Sequence, residues 1–152
     1  MQGSRKHHTV LMVEDDPLEI ELARNAVIES GLELALVVLK DADAVLDWLS
    51  DGTAKSQQMP RVILINLKLP KLDGLAILRK LRMHSATSDT PIVAFSAEYI
   101  QAEVLMSYRA GANSFVAKPA DLHQFGEFFR EQIPYWLEPR QRKLAFAADG
   151  RS

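Results

Sequence analysis

Five short, mainly apolar runs recur along the chain. They are Thr9-Val10-Leu11-Met12-Val13, residues 34–39, Val62-Ile63-Leu64-Ile65, Ile92-Val93-Ala94-Phe95 and Ser114-Phe115-Val116-Ala117. Runs of this length without polar alternation predict strands buried on both faces. Between them apolar residues return at helical spacing. Ile20, Ala23 and Val27 form one such stripe, followed by Ala44, Val45 and Trp48, then Ile77, Leu78 and Leu81, and finally Leu122, Phe125 and Phe129. A further helix is expected over residues 98–110. Pro17 suits a first helical position, with Asp16 as N-cap and Glu19 completing a capping box. Gly31, Gly52 and Gly111 stand where helices should stop. Pro91 marks entry to the fourth strand, and Pro134 should bend or end the fifth helix. Five strands alternating with five helices predict an α/β fold, a parallel sheet between two helical layers with right-handed crossovers.

Length and composition change this picture little. The chain has 152 residues, 47% hydrophobic and 25% charged, which fits one globular domain. The expected division is a flexible tail over 1–8, a folded domain over 9–136 and a C-terminal extension over 137–152. With 18 basic and 20 acidic residues, bulk charge argues neither for nucleic acid nor for a membrane surface. No apolar run approaches the ~18 residues of a membrane span. The absence of cysteine excludes disulfides and thiolate metal sites and fits a cytoplasmic location. Tyr135-Trp136-Leu137 and the basic stretch after it lie beyond the alternating pattern, as a tail packed on its own domain or a dimer contact.

The candidate chemistry lies just past the apolar runs, where open parallel sheets bind ligands. The first strand ends in Glu14-Asp15-Asp16, the third in Asn66, the fourth in Ser96 and the fifth in Lys118-Pro119. Crowded carboxylates suit a divalent cation, and a hydroxyl converging with an ammonium suits an oxyanion such as phosphate. Singly each has a structural use. Acidic residues compensate a helix dipole, Ser96 can cap a helix near Glu98, Asn66 can serve a turn, and Lys-Pro can be a surface turn. Together, on successive strand ends, they point to a phosphate site.

In order, the segments VEDD, ILINLKLPKLDG, PIVAFSA and GANSFVAKP resemble the response-regulator receiver domain of two-component signalling, over residues 9–129. With the YWL tail they look most like regulators associated with bacterial and cyanobacterial phytochromes. The resemblance implies a flavodoxin-like doubly wound (βα)5 fold with strand order 2-1-3-4-5, and a single-domain, non-enzymatic regulator. Glu14, Asp15, the side chain at position 66 and the Lys68 carbonyl would hold Mg²⁺. Ser96 would be the switch hydroxyl, Phe115 the switch aromatic, and Lys118 the phosphate-pairing cation, before a cis Lys118–Pro119 bond. The implied partners are a sensor histidine kinase, such as a phytochrome, and a second copy of the chain. That copy would dock through the fourth helix, fifth strand and fifth helix or through the tail, with no nucleic acid or membrane involved.

Position 66 departs from that family, whose phosphoacceptor there is aspartate. A neutral amide cannot form an acyl phosphate as a carboxylate does, and it removes a charge from the metal site. Phosphorylation is therefore not expected, Mg²⁺ should bind weakly or not at all, and Lys118 should fall nearer Asp15. Asp73 is expected to cap the helix that follows rather than accept phosphate. Two readings stand: a phosphorelay receiver whose aspartate has been exchanged for Asn66, and a phosphorylation-independent pseudo-receiver acting as a binding or dimerisation module. A phosphatase using paired aspartates would need Asp-x-Asp at a strand end, and the acidic run at the first strand lacks that spacing.

Overall fold

The structure, a computed structural model, describes residues 8–50, 59–69, 72–98 and 100–138. The elements run β1 (His8–Val13), α1 (Pro17–Ser30), β2 (Leu34–Leu39), α2 (Ala42–Ser50), β3 (Pro60–Asn66), β4 (Lys68–Leu69), β5 (Leu72–Asp73), α3 (Gly74–Met83), β6 (Ile92–Ser96), α4 (Gln101–Ala110), β7 (Ser114–Ala117), α5 (Leu122–Glu131) and α6 (Ile133–Leu137). The five long strands form a parallel sheet in the order β2-β1-β3-β6-β7, the order expected for the doubly wound fold.

Strand side chains alternate between faces, so one continuous apolar run feeds two cores. Leu11, Val13, Ile63 and Ile65 pack with Trp48, Ile77, Leu78 and Leu81 on one side. Val10, Met12, Val62 and Leu64 pack with Ala23, Val27, Phe125 and Phe129 on the other. Helices on both faces explain why the strands carry no polar alternation. The helix ends follow local chemistry. Asp16 accepts a hydrogen bond from Leu18 N, Asp73 accepts one from Ala76 N, and Gly31 closes α1 in the left-handed region at φ 76°.

Some expectations are corrected. The tail is not free through residue 8, because His8 N donates to Glu33 O at 3.2 Å and His8 begins β1. Helix α4 begins at Gln101 rather than at residue 98, because the Ser96 Oγ accepts from Glu98 N in a turn and leaves the helix start to Ile100. Lys68–Leu69 and Leu72–Asp73 form a two-residue antiparallel pair, β4-β5, that no apolar run announces. The fifth helix ends at Glu131, and Pro134 sits in the first turn of α6, where its missing N–H breaks no helical hydrogen bond. Trp136 on α6 is buried in the core with Phe125 and Phe129, and Arg61 Nη1 donates to Leu137 O at 3.2 Å. Trp136 therefore faces its own domain. The rest of the tail, residues 139–152, lies outside the described residues, as do residues 1–7 and Tyr99.

Candidate functional site

Parallel register brings four strand ends to one edge of the sheet. Glu14 N donates to Leu39 O at 3.1 Å, so the chain stays in the plane of the sheet one residue past β1 and buries the Glu14 side chain. Asn66 is aligned with Phe95 on β6, and Leu67 N donates to Phe95 O at 2.9 Å. Ser96 is aligned with Ala117, and Lys118 N donates to Ser96 O at 2.9 Å. Glu14, Asn66 and Ser96 are buried, while Asp15 is half-buried and Asp16 is exposed.

The polar contacts join Asn66, Glu14 and Lys118. Asn66 Nδ2 donates to Glu14 Oε1 at 3.1 Å, and Asn66 Oδ1 accepts from Lys68 N at 3.1 Å. An amide between a carboxylate and an N–H has its orientation fixed by both. Glu14 Oε2 accepts from Asp16 N at 3.2 Å. Lys118 Nζ lies 3.7 Å from Glu14 Oε1 and 3.5 Å from Glu19 Oε2. Burial pushes the Glu14 carboxyl above the usual carboxylate range, and the Glu19 charge adds to this in smaller measure. The Lys118 charge and the donors Asn66 Nδ2 and Asp16 N pull the other way without prevailing.

Lys118 does not fall toward Asp15 as expected; its carboxylate partners are Glu14 and Glu19. The buried Glu14 charge and the first turn of α1 present the nearer acceptors. The Lys118–Pro119 bond is trans, not cis, because no cis peptide occurs among the described residues. Trans is the lower-energy isomer by about 0.5–1 kcal/mol, and Lys118 N meets Ser96 O with it. Ser96 Oγ accepts from Glu98 N at 3.3 Å. Phe115 is buried in the core beneath α4, and its N donates to Tyr108 Oη at 3.2 Å.

The acidic side chains do not, as arranged, form a magnesium cage. Magnesium wants near-octahedral oxygen ligands. Both Glu14 oxygens already accept hydrogen bonds, and Asn66 turns its nitrogen toward Glu14 and its oxygen toward Lys68 N. Asp15 Oδ2 is buried without a hydrogen-bond partner and is the oxygen best placed for a cation. Among the described residues no three His, Cys, Asp or Glu side chains are grouped to hold a metal.

Two features are not legible in the sequence. Glu19 leaves its expected capping-box role for Lys118. Lys68 reaches from the loop after Asn66 to Glu103 Oε2 at 2.9 Å and to Glu98 Oε1 at 3.1 Å, and these carboxylates hold its ammonium above the usual lysine range. Both pairings join residues that are distant in sequence, and neither has a local signature.

Residues 10–129 match the response regulator receiver domain family. The chain is 25% identical over 130 residues to response regulator Rcp1 of Synechocystis sp., a match covering 85% of this chain and 88% of Rcp1. The phosphorylated cyanobacterial phytochrome response regulator RcpA superposes with a TM-score of 0.75 at 25% identity, over 88% of this chain and 96% of that one. The Mn²⁺-bound form of Rcp1 superposes with a TM-score of 0.72 at 25% identity, over 87% of this chain and 96% of that one.

Proposed function

From the premise that the chain belongs to the response regulator receiver domain family, we propose that it serves a phytochrome-type sensor histidine kinase as a regulator that holds its conformation without phosphate. The observation that carries this reading is the Asn66 amide, which occupies the acceptor position and donates to Glu14. Aspartyl phosphate forms when a carboxylate oxygen attacks phosphorus in line while a metal neutralises developing charge. Asn66 has no carboxylate, and its hydrogen bond to Glu14 compensates a charge that a metal would otherwise share. Glu14 and Asp15 remain the residues that would hold a divalent cation, weakly, and the relative Rcp1 has a Mn²⁺-bound form. Ser96, Phe115 and Lys118 keep the positions of the switch hydroxyl, switch aromatic and phosphate-pairing cation.

Phosphotransfer from a phosphorylated histidine kinase tests this reading. The chain as it stands should remain unlabelled, while Asn66→Asp should take up phosphate. Labelling of the Asn66 chain would overturn the proposal.

Output through protein contact is the second part of the proposal. Ile100 at the N-cap of α4 and Leu105, Met106 and Tyr108 on it are exposed, and an open depression of about 490 Å³ lies against Gln101, Val104, Leu105 and Tyr108. Apolar exposure of this kind on a soluble protein favours a partner surface. We assign it to a second copy of the chain, in the cytoplasm, with neither nucleic acid nor a membrane as partner. Light scattering at tens of micromolar should give twice the monomer mass, and Leu105→Glu should halve it. A monomer at that concentration would sink the dimer.

A further inference from the structure

Lys118 has only 14% of its side chain exposed, and its two nearest carboxylates differ in origin. Glu14 belongs to the strand-end acid pair and already accepts from Asn66 Nδ2 and Asp16 N. Glu19 belongs to the first turn of α1, the helix that packs against α5. A capping-box glutamate would reach back to the N-cap N–H. Here that N–H, Asp16 N, is taken by Glu14 Oε2, which leaves the Glu19 carboxylate free of the backbone. Glu19 is turned inward instead. Its side chain is 22% exposed, Oε2 lies 3.5 Å from Lys118 Nζ, and Oε1 is buried without a hydrogen-bond partner.

A largely buried ammonium needs a paired charge, and its cost rises steeply when a partner is removed. Position 66 contributes no charge, and the single charge of Glu14 is spread over three donors. We infer that Glu19 is a positioning residue, the built-in counter-ion that holds Lys118 in the site in place of the carboxylate that position 66 lacks. The inference rests on the reading above, that the site works without phosphate, and adds how its lysine stays seated. The Lys118–Glu19 pair ties the β7–α5 loop to α1, so that loop is anchored with no ligand present. Any anion that engages Lys118 must compete with Glu19.

The test is the rate at which Lys118 is acetylated by N-hydroxysuccinimidyl acetate in the full chain, read by peptide mass spectrometry and normalised to the exposed Lys40 and Lys80. Glu19→Gln should raise the Lys118 rate about fivefold, the factor that corresponds to losing one ion pair. Glu21→Gln makes the same change of net charge on the exposed face of α1 and should leave the rate unchanged. An unchanged rate in Glu19→Gln, or an equal rise in Glu21→Gln, would overturn the inference. If Glu19→Gln opens the fold, seen as lost amide protection in β3, Glu19→Asp decides. That shorter acid should raise labelling about twofold, and no rise counts against the pair. The measurement uses no kinase, so its failure is separate from any failure in phosphotransfer.

Discussion

Asn66→Asp is expected to make the stability of the fold depend strongly on magnesium, where that of the Asn66 chain, which binds the cation weakly, changes little. The substitution exchanges the donor 3.1 Å from Glu14 Oε1 for a second carboxylate. Two charges at that separation repel by about 5 kcal/mol at an effective dielectric near 20. The pair escapes most of this by sharing a proton, as closely spaced carboxylates do, and the raised Glu14 carboxyl is already disposed to take one. A residual cost of about 2 kcal/mol lowers Tm by about 4–8 °C in a domain of this size. Magnesium reverses the sign. With Asp15, the new carboxylate and a released Glu14 converging, a cation at a hundred times its Kd restores about 2.7 kcal/mol. Thermal unfolding with chelator and then with magnesium should therefore separate the Asn66→Asp variant from the parent chain. An equal magnesium response in both would show that the Asn66–Glu14 hydrogen bond does not stand in for a metal.

The fold is legible because its signals are short in range. Continuous apolar runs mark the five long strands, and Asp16, Pro17 and Gly31 mark the ends of α1. The strand-end positions are legible for the same reason, since Glu14, Asn66, Ser96 and Lys118 each stand next to an apolar run. Their pairings are not. Asp16 and Glu19 have the spacing of a capping box, yet Glu14 Oε2 takes the Asp16 N–H and Glu19 crosses to the end of β7. Nothing local distinguishes the two outcomes, because the choice depends on where Lys118 arrives through the sheet. The β4-β5 pair is hidden in LKLPKLD, whose Pro and Lys read as loop, and α6 in five residues too few to show periodicity. Trp136 reads as tail because its burial depends on core residues more than a hundred positions earlier, such as Val10 and Met12.

Gly74→Ala reverses its ordinary effect at the first residue of α3. In an open helix the change stabilises by roughly 0.5–1 kcal/mol, because glycine surrenders more backbone freedom on folding. Here the added methyl would lie 2.6 Å from Leu67 Cα, 2.8 Å from Asn66 O and 2.9 Å from Leu67 O. All three are backbone atoms, so no side chain can rotate away. Overpacking of this kind costs typically 1–3 kcal/mol or more, which outweighs the helical gain. A net loss of about 2 kcal/mol should lower Tm by about 4–8 °C. The clash also falls on the peptide that places Asn66, since Leu67 N donates to Phe95 O and fixes the end of β3 beside β6. Gly74→Ala combined with Asn66→Asp should therefore lose most of the phosphotransfer that Asn66→Asp alone acquires. A Tm within about 1 °C of the parent, with phosphotransfer intact, would mean that the β3–α3 turn yields at little cost and that Gly74 does not set the acceptor position.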